Sequence, residues 1–92
     1  MMIDKNTIVS ILGDIDVTDL NGEKVMMNFE SGQYFVLNDV ASRIWELIES
    51  PIIVNEVINS LLKEYDIDNK SCETAVINFL SRLDYAKLIC VS

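Results

Sequence analysis

The chain has no histidine, a single proline, three glycines and two cysteines, and only 7 Lys and Arg against 15 Asp and Glu. Each scarcity excludes something. Without histidine there is no Ser-His-Asp or Cys-His nucleophile pair, no imidazole metal site and no imidazole acid–base near neutral pH. The shortage of bases leaves a net charge of −8. That is the wrong sign for nucleic acid, whose affinity depends on Lys and Arg neutralising phosphates. No run of about 18 apolar residues is present, so no transmembrane helix is expected. Asp4 stands where a signal peptide needs positive charge, and no long apolar stretch follows. Cys72 and Cys90 are far apart with no CxxC, so neither a disulfide framework nor a zinc site is expected. Both read as reduced, packed thiols of a cytoplasmic protein.

What is present is apolar: 50% of the chain is hydrophobic, too much for a disordered acidic tail. Ninety-two residues make one domain, 1–92, with one core. Chains of this size bury roughly 60–65% of their unfolded surface, so every element must share that core.

The first half reads as strands. Residues 8–12 are rich in β-branched side chains. An acidic connection follows, then Asn21-Gly22, a turn signal. Residues 24–29 and 33–37 form a hairpin across Glu30-Ser-Gly-Gln33. The alternation is not clean: Val25, Met27 and Phe29 share one face, yet Met26, Phe35 and Leu37 also need cover or a ligand. From Asn38, a good N-cap with Asp39 beside it, the period lengthens to about 3.6. Val40, Ala41, Ile44, Trp45, Leu47 and Ile48 form the first helical stripe, ended by Ser50-Pro51. Val54, Val57, Ile58, Leu61, Leu62 and Tyr65 form the second. Asn69 or Ser71 can cap a third, carrying Cys72, Ala75, Val76, Phe79, Leu80 and Leu83. Residues 88–91 are a terminal strand or extended tail. The order β, β, β, α, α, α makes an α+β domain with winged helix-turn-helix proportions.

Catalytic and metal chemistry find no support. Asp66-x-Asp68-x-Lys70 faintly resembles the start of a calcium loop but lacks the later glycine and glutamate. A solvated turn with capping carboxylates is the plainer reading, and Asp14, Asp16 and Asp19 read as an exposed loop. No cofactor motif occurs. The winged-helix proportions raise an alternative, a small DNA-binding transcriptional regulator with its third helix in the major groove. From Lys70 to Lys87, however, Lys70, Arg82 and Lys87 are offset by Glu73 and Asp84, a poor phosphate surface. A different role attaches to residues 33–37. Exposed sheet edges are normally blunted by Lys, Pro or bulges, and no charge lies between Glu30 and Asp39. Such an edge can accept an added strand from another polypeptide.

Five stretches in order carry a family resemblance: Asn21-Gly-Glu-Lys-Val25, Glu30-Ser-Gly-Gln-Tyr-Phe-Val-Leu-Asn38, Ala41-x-x-Ile-Trp-Glu-Leu-Ile48, Glu64-Tyr-Asp-Ile-Asp68, and Phe79-Leu-x-x-Leu83 followed by Leu88-Ile89. Together they span residues 20–91, and the chain resembles the PqqD-like proteins, also called RiPP recognition elements. It is most similar to the stand-alone version from lasso-peptide gene clusters. The resemblance implies a three-stranded antiparallel sheet packed on three helices. It further implies a non-catalytic peptide chaperone needing no cofactor. The leader of a ribosomally made precursor, often basic and carrying Tyr-x-x-Pro, adds as a strand between the third strand and third helix. A leader peptidase, with a cyclase downstream, acts on the presented peptide. On this reading Gln33, Tyr34, Phe35 and Val36 supply the edge, and Ala75, Asn78, Phe79 and Arg82 the other wall. Three positions depart from the family pattern. Ile53 stands where a threonine caps the second helix, and Ala75 where the third helix carries an acid. Lys87 replaces a glycine after that helix and must adopt or avoid a left-handed conformation at some cost.

Overall fold

The computed structural model describes residues 3–12, 16–20, 23–28 and 32–92. Its elements in order are β1 (Ile8–Ile11), β2 (Asp16–Leu20), β3 (Glu23–Asn28), β4 (Gln33–Leu37), α1 (Asp39–Leu47), β5 (Ile52–Ile53), α2 (Val54–Glu64), α3 (Asn69–Tyr85) and β6 (Ile89–Val91). The α+β architecture of a three-stranded antiparallel sheet with three helices stands as expected. The membership of the sheet differs. β2, β3 and β4 form it in that order, while β1 lies between β5 and β6 in a second antiparallel sheet.

The segment 16–20, expected to be part of an acidic loop, is therefore a strand. Asp16 and Asp19 disfavour a strand on propensity alone, but the ladder with β3 supplies what they lack. Asp19 stands opposite Lys24, and the two side chains meet at 3.3 Å. The turn at Asn21-Gly22, Phe29 and the Glu30-Ser31 half of the hairpin turn lie outside the described residues. Gly32, just before β4, takes φ +70°, a left-handed backbone that glycine adopts without steric cost.

Registry fixes which side chains face the core. Met26 stands opposite Phe35 and Lys24 opposite Leu37, so these share one face of the sheet. Met26 and Leu37 are fully buried there. α1 packs over β3 and β4, and the Ser42 hydroxyl donates to the Leu37 carbonyl at 3.3 Å. Ile44, Trp45, Val57, Ile58, Leu61, Val76, Leu80 and Leu83 join them in the core, as their helical spacing predicts. Among the described residues, no helix is long and apolar enough to cross a membrane.

The caps show how local chemistry positions α3. The Asn38 side chain accepts from the Ala41 N–H, as expected. At α3 the cap is Asp68, one residue ahead of Asn69, accepting from the Ser71 N–H at 3.0 Å. Hydrogen bonding to Ser71 holds this carboxyl below its usual pKa, so Asp68 serves the helix terminus. Ile53 offers α2 no side-chain cap. The exposed donors go elsewhere: Val54 N–H reaches the Thr7 carbonyl at 2.9 Å and Asn55 N–H the Lys5 carbonyl at 3.0 Å. The N-terminal segment thus replaces the threonine of the family pattern, and the helix begins at Val54 without shifting.

Lys87 adopts the left-handed conformation, φ 61°. Leu88 N–H bonds the Leu83 carbonyl and Lys87 N–H the Asp84 carbonyl, the two bonds of a Schellman closure. Buried Leu88 and Leu83 supply the apolar contact that goes with it. A side chain in this conformation costs about 1–2 kcal/mol, against a glycine entropy cost of about 0.5–1 kcal/mol. Lys87→Gly is therefore expected to stabilise the domain by ~0.5–1 kcal/mol. The midpoint of a thermal melt followed by circular dichroism should rise by several degrees.

Candidate functional site

The sheet β2–β3–β4 has two edges of different chemistry. β2 carries Asp16 and Asp19, and such charges discourage further pairing. β4, from Gln33 to Leu37, carries none. Among the described residues no strand pairs with its outer side. Beside that open edge lies a groove of about 310 Å³ between β4 and the C-terminal half of α3, lined by Phe35, Ser81, Arg82, Tyr85 and Ala86.

Of the residues named from the sequence, this groove brings together Phe35 and Arg82. Phe35 is half-buried and shares its sheet face with Met26 and Leu37, so the inner face of β4 looks into the groove. Tyr34 and Val36 point to the opposite face. Gln33 contributes its backbone to the strand edge. Ala75, Asn78 and Phe79 precede Arg82 at helical spacing, but they are not in the groove lining. Ala75 and Asn78 are exposed, whereas Phe79 is half-buried and packs against the core. The sequence reading missed Ser81, Tyr85 and Ala86. The spacing held a signal for two of them, since 75, 78, 79 and 82 continue at 85 and 86 on one helical face. Tyr85 is 88% exposed, an unusual position for a large aromatic side chain.

Among the described residues, Arg82 is the one charged side chain in the lining. The acidity lies on the strand-bearing half, where residues 1–50 hold nine acids against three bases. A basic peptide would be drawn by this wider field and not by a carboxylate inside the groove.

A second cleft, of about 210 Å³, is polar and includes Asp19, Lys24, Arg43, Glu46 and Tyr65 in its lining. Most of its charges pair with one another. Lys24 lies between Asp19 and Glu46, and Arg43 between Glu46 and Glu64, the last contact at 2.8 Å. The hydrogen bonds from Arg43 hold the Glu64 carboxyl below its ordinary pKa, and the same contact raises that of Arg43. Burial raises Tyr65, with the nearby Asp39 charge adding to it. This network ties β3, α1 and the end of α2 together. Being exposed and paired, it reads as a buttress.

The cysteines offer no further chemistry. Both are free. Buried Cys72 donates to the Ile58 carbonyl at 3.9 Å, and burial, aided by Asp68, pushes its thiol above the usual pKa. Cys90, expected to be packed, is exposed on β6. It stands opposite Ser10, on the face of the second sheet away from Val9 and Ile89. Among the described residues, no group of three or more potential metal ligands comes together.

The same fold recurs in proteins of known structure. TbiB1 in complex with the TbiA(beta) leader peptide is 29% identical, with a TM-score of 0.78 over 87% of this chain and 93% of that one. Lasso peptide synthetase B1 complexed with the leader peptide is 21% identical, with a TM-score of 0.77 over 89% and 96% of the two chains, a likeness of fold. No functionally curated sequence matches significantly. The family model for coenzyme PQQ synthesis protein D (PqqD) matches residues 23–89, most of the domain from β3 through the first residue of β6, and the chain belongs to the PqqD family.

Proposed function

We propose that this domain is a non-catalytic, cytoplasmic receptor for the leader segment of a ribosomally made precursor peptide, of the lasso class. The leader adds as a strand to β4 and is presented to a leader peptidase, with a cyclase acting later. The observation that carries this is the uncharged, open β4 edge lying beside an apolar groove, when the opposite edge of the same sheet is acidic. The likeness to two leader-bound proteins supports the same reading.

The energetics say where affinity must come from. Ordering a peptide costs about 1–2 kcal/mol of backbone entropy per residue. Each ladder hydrogen bond returns only about 0.5–1.5 kcal/mol, so pairing alone roughly breaks even. Apolar anchors in the groove, at about 1.5–3 kcal/mol each, supply the surplus. Gln33 to Val36 provide the edge, and Phe35, Arg82 and Tyr85 the walls. Ala75, Asn78 and Phe79 extend the wall toward the start of α3. Arg82 donates to peptide carbonyls or to an acidic side chain.

A fluorescein-labelled basic peptide carrying Tyr-x-x-Pro and a labelled DNA duplex, titrated separately and read by anisotropy, test this against the regulator reading. Sub-micromolar peptide binding with no duplex binding is expected. Strong duplex binding without peptide binding would overturn the proposal.

A further inference from the structure

Strand addition at β4 has a consequence on the side of the sheet away from α3. Val25 stands opposite Val36, and Met27 opposite Tyr34. These residues alternate with inward-facing Met26 and Phe35, so they form two apolar rows on the outer face. Thr18 of β2 extends the first row. Both rows stop at the open edge. There Tyr34 is 65% and Val36 56% exposed, although inner-face Phe35 is half-buried and Leu37 buried.

We infer that the peptide is read on both faces: one residue enters the groove beside Phe35, and its two chain neighbours project outward as the next members of the rows ending at Tyr34 and Val36. This rests on the strand-addition reading and deepens it, because it names a second set of specificity-determining side chains. A pleated strand paired with β4 must place alternate side chains on opposite faces. The residues opposite Tyr34 and Val36 therefore stand two positions apart, whichever way the peptide runs. Cross-strand neighbours with Cβ atoms about 4.5–5.5 Å apart interact most when they are aromatic or β-branched. Tyr34 and Val36 are one of each. The groove alone would select a single apolar residue at this point. The two-faced site selects three in a row, the outer two broad or β-branched.

The occupant is a peptide and not a second copy of this chain on grounds of charge. Two copies would bring together faces that each belong to a chain at −8, whereas a basic peptide meets this surface with opposite sign.

A phage-displayed library of random twelve-residue peptides, selected in parallel on the wild type and on the double variant Tyr34→Thr/Val36→Thr, tests the inference. Threonine suits a strand at either position, and both native side chains are largely exposed, so the variant should melt with the wild type. The wild type should enrich sequences with an apolar triplet. The variant should keep the central preference, lose the flanking ones, and bind the best wild-type clone about tenfold more weakly. Identical motifs from both proteins, with affinities within twofold, would sink this inference while leaving strand addition intact. If the wild type selects no peptide at all, the strand-addition reading falls and takes this one with it. Light scattering covers the remaining occupant: a wild-type dimer that the double variant dissociates would assign the outer face to self-association and overturn the proposal.

Discussion

Filling the groove from within, by Ser81→Trp, should abolish leader binding while the domain stays folded. Ser81 is exposed on α3 yet lines the groove beside Phe35 and Arg82. An indole there takes the space that the inward anchors of the peptide need. Losing the anchor beside Phe35 and the next inward residue, two positions along the peptide, at about 1.5–3 kcal/mol each weakens binding by roughly 10²- to 10⁴-fold. Stability should hardly change, because no core contact is removed and tryptophan and serine rank close together in helix preference. Anisotropy titration of the labelled leader gives the first quantity and a circular-dichroism melt the second. An affinity unchanged within twofold would mean that the peptide does not use this groove. Ser81 is a better position than Phe79, which also lies on α3. Phe79 packs against the core, so a charge placed there confuses lost binding with lost folding.

Ser81 also marks the boundary of what the sequence alone encodes legibly. Local signals were reliable: the 3.6-residue stripes, the Asn38 cap, and the hairpin of β3 and β4. Each depends on residues a few positions apart. The lack of any charged defence on the β4 edge was likewise legible, because charge is a property of the segment itself. What the sequence did not reveal depends on distant partners. β2 is a strand because β3 pairs with it, and two-residue β5 carries too little periodicity to be seen at all. Strand 8–11 joins β5 and β6, some 40 and 80 residues along the chain, and no local pattern encodes that choice. The face of β4 that meets α3 follows from registry, since a slip of one residue would exchange Phe35 with Tyr34 and Val36. The site residues show the same division. Arg82 and Phe35 lie on short-range patterns. Tyr85 and Ala86 lie on the same stripe one turn further, past the point where core leucines stop guiding the eye.

Truncating the buried side of α3 should be as damaging as filling the groove, by a different route. Leu80 is fully buried, on the stripe with Cys72, Val76 and Leu83. Leu80→Ala removes its packing and leaves a cavity, at a cost of about 2–5 kcal/mol. A chain of this length is stabilised by roughly 5–14 kcal/mol in all, so this is a large fraction. The melting midpoint should fall by about 8–40 °C, at 4–8 °C per kcal/mol. Because α3 also forms one wall of the groove, the leader binds the folded state and not the unfolded one. Leader at about 100 times its dissociation constant should then return roughly 2.7 kcal/mol to the variant as to the wild type. Recovery of the Leu80→Ala midpoint on adding leader, with no recovery in a Leu80→Ala/Ser81→Trp double variant, would show that the stabilisation comes through the groove. Equal recovery in both would show that the leader binds elsewhere on the fold.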